Sequence, residues 1–146
     1  MANDVEKTMK DWVAAWNSHD LDKTISFYSD DCVFEDNGLG ITCKGKKELV
    51  TYCKSTFKNI PDIQYITKSL FNTGDWVAWE WTMTGTHSQS SNPAIKATGK
   101  RFSVIGASII EIRNGKIRRE TDYYNALTVM QQLRLVTGIP SRFLET

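Results

Sequence analysis

The stretch 101–125, RFSVIGASIIEIRNGKIRRETDYYN, sets two runs of β-forming residues on either side of a single Asn114-Gly115 pair. Asn-Gly suits a two-residue type I′ turn, whose central residues both need φ > 0 and whose twist matches that of the strands it joins. The stretch therefore reads as one long β-hairpin. A turn that tight sets a register. Arg113 faces Lys116, and counting outward pairs Ile112 with Ile117, Ile110 with Arg119, Ser108 with Thr121, Gly106 with Tyr123 and Val104 with Asn125. Those side chains share one face, apolar near the turn and polar further along, which is the make-up of a pocket wall or of a half-buried strand meeting water at the sheet margin. The other face pairs Glu111 with Arg118, Ile109 with Glu120, Ala107 with Asp122 and Ile105 with Tyr124. On this register Asp122 points away from the pocket face and pairs with an arginine or water; a β-bulge would reverse that.

Upstream, 76–84 alternates, with Val77, Trp79, Trp81 and Met83 on one side and Ala78, Glu80, Thr82 and Thr84 on the other. The run 63–71 alternates more loosely and is joined to it by the turn Thr73-Gly74-Asp75. Between these strands and the hairpin, 85–100 is polar and holds Gly, Pro and a Ser-Gln-Ser-Ser run, so it reads as a long connection at a rim. After the hairpin, Leu127, Met130 and Leu133 lie on one side of a short helix within 126–136, and Gly138-Ile139-Pro140 opens a loose tail.

Toward the N-terminus, Val5, Met9, Trp12, Val13 and Trp16 recur at helical spacing, predicting an amphipathic helix over 4–17 that turns two tryptophans inward. Asp20 can cap a second, shorter helix with Leu21, Ile25 and Tyr28 on its inner face. A short strand at 32–36 follows, closed by the turn Asn37-Gly38-Leu39-Gly40, with Asp36 at its mouth. Leu49, Cys53 and Phe57 define a third helix over 46–57, ended before Pro61. Helix, helix, strand, helix and then four consecutive strands predict an α+β fold, in which a curved antiparallel sheet wraps around about three N-terminal and central helices. Such a sheet leaves a cavity at its open end. Trp12, Trp16, Tyr28 and Phe34 line it from one side, and Trp79, Trp81, Met83 and Tyr123 from the sheet.

The 146 residues, 40% hydrophobic and 24% charged, suffice for one domain spanning 1–146. Eighteen basic against seventeen acidic residues leave a net charge of +1 with no long block of either sign, which argues against a nucleic-acid partner. No apolar run approaches the ~18 residues of a membrane span, and the opening MANDVEKTMKDW is charged, unlike a signal peptide, so a cytoplasmic protein without a membrane partner is expected. Cys32, Cys43 and Cys53 are widely spaced and joined by only His19 and His87, so no metal pattern and no cofactor motif results. Reduced thiols in the core are the expectation.

The segments WVAAWNSHDLDKTISFYSDDCVFEDNG, G-x-x-E-L, GDWVAWEWTMTGTH and GKRFSVIGASIIEIRNGKIRRETDYYNALTVMQQL, in that order, resemble the nuclear-transport-factor-2-like superfamily, and most closely its SnoaL-like polyketide cyclase branch. The resemblance covers nearly the whole chain and implies a cone-shaped fold with an apolar pocket. That fold hosts isomerases, hydrolases, cyclases and binding proteins, so positions are carried over singly. Ketosteroid isomerases of the superfamily keep a general base in a segment similar to Phe34-Glu35-Asp36-Asn37-Gly38, which implies Asp36 here. Their oxyanion donors align with Trp12 and Ser108, whose N–H and hydroxyl are weaker donors than the groups they replace. The aspartate of SnoaL-like cyclases and limonene-type epoxide hydrolases aligns with Asn125, an amide that transfers no proton near neutral pH. The Arg and Asp that the epoxide hydrolases also need fall on Trp79, Trp81 and Met83.

Asp36 is thus the candidate base, or else the acceptor of an Asx-type turn. His87 shares the parity of Trp81 and Met83 and reaches the pocket rim as acid, base or ligand contact, unless it is a surface residue of the loop. Arg119 either anchors a ligand carboxylate or snorkels to solvent. Two functions are carried forward. One is cofactor-free acid–base chemistry on a polycyclic or ketone substrate, with Asp36 as base, Trp12, Tyr28 or Ser108 as oxyanion donors, and His87 or Asn125 orienting. The other is a non-catalytic binding protein for a small apolar or aromatic ligand. The outer face, with Ile105, Ala107, Ile109 and Tyr124, predicts a homodimer.

Overall fold

The structure, a computed structural model, describes residues 2–137; the expected tail from Gly138 lies outside them. Two of the expected helices come first, α1 (Ala2–Ser18) and α2 (Leu21–Ser26). Asp20 caps α2 by accepting from the Lys23 amide at 3.1 Å. The first strand is longer than its alternation suggested: β1 runs Tyr28–Asp36, so Tyr28 belongs to the sheet and not to α2. A short strand that the turn-rich composition concealed, β2 (Ile41–Lys44), pairs back on β1 before α3 (Gly45–Asn59). Then come β3 (Gln64–Thr73), β4 (Trp76–Thr86), β5 (Arg101–Arg113), β6 (Lys116–Tyr124) and α4 (Ala126–Gln132).

The strands form one curled, unclosed sheet in the order β2-β1-β6-β5-β4-β3. All neighbours are antiparallel except β1 and β6, which run parallel, because the chain leaves β1 through one helix and four strands before returning beside it. The helices fill the concave side. Trp12 from α1 meets Trp79 from β4 edge to face with ring centres 5.1 Å apart, so helical and strand periodicities converge on one aromatic core. The edge of β3 is tied to α1 by Asn17, whose side chain donates to the Tyr65 carbonyl at 2.9 Å and accepts from the Tyr65 amide at 2.8 Å. Cys32, Cys43 and Cys53 are buried free thiols, and burial pushes the Cys43 thiol up to about 11. No helix among the described residues is long and apolar enough to cross a membrane.

The Asn114-Gly115 turn forms with both residues at positive φ, at 52° and 74°. Its neighbours pair as expected, Arg113 with Lys116 and Ile112 with Ile117. One position further the register breaks: Glu111 pairs with Arg119, leaving Arg118 as an extra residue in β6. Arg118 and Arg119 both point outward, and each meets an acid of β1, Asp31 at 3.2 Å and Glu35 at 3.5 Å. Every later pair is shifted by one: Ile110 with Glu120, Ser108 with Asp122, Gly106 with Tyr124. The expected partners of Ile110, Ser108 and Gly106 are thereby corrected, and the two faces of β6 exchange. Glu120, Asp122 and Tyr124 turn to the concave side, while Arg119, Thr121 and Tyr123 face out.

Candidate active site

Because β1 and β6 are parallel and in register at their ends, Phe34 lies beside Glu120 and Asp36 beside Asp122. Three carboxyls are therefore buried on one wall of the concave side, with Asp36, Glu120 and Asp122 at 3%, 2% and 7% exposure. Their partners differ. Asp36 Oδ1 accepts from the Leu39 amide at 2.9 Å, and its Oδ2 accepts from the hydroxyls of Tyr52 at 2.8 Å and Tyr124 at 3.0 Å. Asp122 Oδ1 accepts from the Ser108 hydroxyl at 2.6 Å, which in turn accepts from the Trp81 indole at 3.0 Å. Glu120 accepts from the Tyr28 hydroxyl at 2.5 Å, and Tyr28 accepts from the Trp12 indole at 3.2 Å.

Burial without a basic partner governs the titration of this wall. Burial pushes Asp122 up to about 6, with the charge of Asp36 adding to it and hydrogen bonds from Glu120 and Ser108 opposing it. Burial lifts Glu120 well above the carboxylate range, reinforced by the charge of Asp122 and a hydrogen bond to it, so Glu120 is the protonated member of the pair. The hydroxyls of Tyr52, Tyr65 and Tyr124 are raised by burial and then by the neighbouring carboxyls, and they remain donors at any physiological pH.

Asp36 and Asp122 open onto a cleft of about 190 Å³ walled by Tyr52, Tyr65, Trp81 and Tyr124. Trp81 lies flat enough on β5 that a Cβ on Gly106 would sit 2.3 Å from its ring. The cleft continues outward into a groove of about 450 Å³ between the 87–95 loop and α4, with Ile60, Phe102, Val129 and Leu133 on its walls. Inward it narrows to a chamber of about 10 Å³ bounded by Trp16, Phe34, Trp79, Glu120 and Asp122. Among the described residues, no Lys or Arg lines any of the three. Among the described residues no group of His, Cys, Asp and Glu is arranged to hold a metal ion.

The expected site residues fall into three sets. Asp36, Trp16, Phe34, Trp79, Trp81 and Met83 border the cleft or chamber, and Ser108 stands behind Asp122. Trp12 and Tyr28 are buried one layer deeper, where their polar atoms serve Glu120. Four are displaced. Tyr123, 43% exposed, and Arg119, ion-paired with Glu35, are on the convex face because of the bulge. Asn125 is exposed and caps α4, its side chain accepting from the Thr128 amide at 3.2 Å. His87 borders only the outer groove, where its ring is 3.3 Å from the Thr98 hydroxyl. Missing from the expected set are Asp122, Glu120, Tyr52, Tyr65 and Tyr124. The signal for the first two was the adjacent pair Arg118-Arg119, since two neighbouring arginines in a strand cannot both obey alternation unless one faces the core.

The SnoaL-like polyketide cyclase family model matches residues 6–133. No curated protein matches the sequence. Among solved structures, AclR from Streptomyces galilaeus superposes with a TM-score of 0.80 at 26% identity, covering 97% of this chain and 91% of its own. A protein from Catenulispora acidiphila with a ketosteroid isomerase-like fold, solved with trimethylamine, gives 0.76 at 22% identity over 87% and 92% of the two chains. TsrD from Streptomyces laurentii gives 0.78 at 20% identity over 93% and 98%.

Proposed function

We propose, since the chain belongs to the SnoaL-like polyketide cyclase family, that it catalyses cofactor-free proton transfer on a neutral, aromatic ketone, as a cyclase or isomerase does, with Asp122 as the base. The observation that carries this reading is the setting of Asp122. It is an inward carboxyl held up to about 6, anchored by Ser108 on one side and open to an aromatic cleft on the other. A base poised near neutral pH balances the fraction ionised against the strength with which it takes a proton. The described residues of the cleft walls are aromatic, aliphatic, hydroxyl- or amide-bearing and acidic, which supports a ligand without a carboxylate or phosphate. Its Tyr65, Trp81 and Tyr124 rings, set edge to face and tilted against one another, support an aromatic one. The binding-only reading rests on Asn125 and Trp12 standing where a carboxylate and an oxyanion donor are expected; Asp122, on the strand that ends just before Asn125, supplies a carboxylate.

The test uses 2-acetylnaphthalene in deuterium oxide, followed by NMR. The wild type is expected to bind it and to catalyse exchange of its methyl protons. Asp122→Asn should lose exchange by ~10²–10⁴-fold with affinity kept within a few-fold, because a base acts in the transition state. Equal exchange by both proteins would return the chain to a binding role.

The convex face carries a separate proposal, that a second copy docks there. Ile66, Phe71, Ile105 and Ile109 are exposed on it, Ile105 at 75%, and Tyr123 replaces the Tyr124 expected beside them. An exposed apolar patch on a sheet face can meet its own copy across a two-fold axis. Light scattering should return a dimer mass, and a monomer mass for Ile105→Lys.

A further inference from the structure

At about 190 Å³ the cleft beside Asp122 falls below the roughly 300–1,000 Å³ of ordinary small-molecule sites, whereas the groove outside it, about 450 Å³, lies within that range. The two are continuous. Leu39, Ile41, Ile60, Met83 and Tyr124 border both, so a ligand seated at Asp122 can extend past them into the groove. One wall of the groove is the 87–95 loop, whose neck is closed by the His87 amide donating to the Lys100 carbonyl and the Gly99 amide donating to the His87 carbonyl, each at 2.9 Å. The loop is also tied to α3, where the Asn59 carbonyl accepts from the amides of Ser88 at 3.0 Å and Gln89 at 3.2 Å. The groove is therefore preformed.

The polar side chains of that wall bond among themselves. The Ser55 and Ser91 hydroxyls are 3.2 Å apart, Ser91 donates to Asn59 Oδ1 at 3.2 Å, and Asn59 donates to Ser55 at 3.3 Å. Ser90, Asn92 and His87 are likewise engaged within the loop. The opposite wall is α4, clamped to β5 by the Gln132 side chain, which accepts from the Ser103 amide at 2.7 Å and donates to the Ser103 carbonyl at 3.0 Å. Ala126, Val129, Met130 and Leu133 recur at helical spacing and border the groove with Phe102, yet no residue within α4 itself is buried. A short helix gains most of its stability by burying such a stripe. Here the stripe borders a groove that leads from the proposed base.

We propose that the ketone carries an apolar arm, aliphatic or aryl, that this groove receives, and that Val129 of α4 and Ile95 of the loop select it. The proposal rests on the reading of the cleft as the seat of a ketone and adds the other half of the molecule. The class of the arm follows from the walls: their polar groups are engaged with one another, so the groove offers a guest hydrocarbon and thioether surface. An arm held equally in the ground and transition states lowers KM and leaves kcat alone. The groove thus decides which ketone is bound, and Asp122 what happens to it.

The experiment compares 2-acetylnaphthalene with its 6-methoxy, 6-propoxy and 6-pentyloxy derivatives, reading affinity by NMR titration and methyl-proton exchange in deuterium oxide. Affinity should rise about threefold for each methylene added, with kcat for exchange constant within about twofold. Val129→Asn and Ile95→Asp should each flatten the series, so that the pentyloxy and parent ketones bind within a few-fold of each other. Ile95 is 37% exposed on the loop, so its variant tests the groove without disturbing α4. A flat series in the wild type, with the parent ketone bound and exchanged through Asp122, would overturn the arm site and leave the base in place. A rise that both variants leave intact would put the arm elsewhere and also overturn it. A rise that the variants abolish, without exchange of any ketone, would support the arm site and overturn Asp122 as base. Failure of every ketone to bind would overturn both.

Discussion

β1 and β6 run side by side and each ends on a buried aspartate, but the two ends are built for different work. Asp36 accepts three hydrogen bonds, from a backbone amide and two tyrosine hydroxyls, which is how a carboxyl is used to hold other groups still. Asp122 has a hydroxyl at one oxygen, a protonated neighbour beside it and the cleft in front. Burial depth does not separate them, as both are below a tenth exposed. Donor count and the direction of the free lone pairs do. A carboxyl whose one oxygen holds two donors and whose other holds a third is held in place with little room for a proton, whereas one with more open sites facing a cleft is not.

The contrast is most easily broken by charge removal. Asp122→Asn should cost ~10²–10⁴ in ketone exchange, while Asp36→Asn should cost about tenfold, acting through loosened tyrosines and a lower Asp122. The wild-type rate should rise with pH and level off above about 6, the value to which burial lifts Asp122. Reversal of the two variants, with Asp36→Asn the more damaging, would make Asp36 the base after all. A smaller effect tests the shared wall: Gly106→Ala drives a Cβ into the Trp81 ring that bonds Ser108, and should destabilise the fold by about 1–3 kcal/mol in urea melts.

Proton linkage gives a third comparison. The folded state raises Asp122 from its usual ~3.9 to about 6, so it favours the protonated form. That contribution to stability is fully present below about pH 4 and is lost as pH rises through about 6. Between about pH 7 and pH 4.5 the wild type should therefore gain stability relative to Asp122→Asn; parallel urea midpoints at both pH values would contradict the raised carboxyl. The smallest expected effect is at Gly38, where a Cβ would sit 2.3 Å from the Tyr124 ring. Gly38→Ala should push Tyr124 off Asp36 and change exchange by only a few-fold.

What the sequence disclosed follows from where period and turn chemistry are strong. The Asn114-Gly115 turn, the Trp12 and Trp16 helix and the alternating Trp79, Trp81 and Met83 strand are each determined by local rules, and together they place the aromatic core. The base escaped because register is counted, and one extra residue at Arg118 inverts every position beyond it. Asn125, reached by the same count, is the cap of a helix. Tyr52 and Tyr65 escaped because nothing local in α3 or β3 announces that the Tyr52 hydroxyl meets a carboxyl of another strand or that the Tyr65 ring packs against Trp81.

The parallel pairing of β1 with β6 also sets an order of events. Tyr124 and Asp36 are 88 positions apart in the chain, and the strands between them are all joined to nearer neighbours. Loop closure over that distance comes after local pairing, so the seam between first and last strands is the late, slow step of assembly. Before it closes, Asp122 is an ordinary solvated carboxyl with an ordinary proton affinity. The reactivity proposed for this protein is therefore acquired only when the chain has finished folding, and a partly folded molecule has the hairpin, the helices and the tryptophans without the paired strand ends.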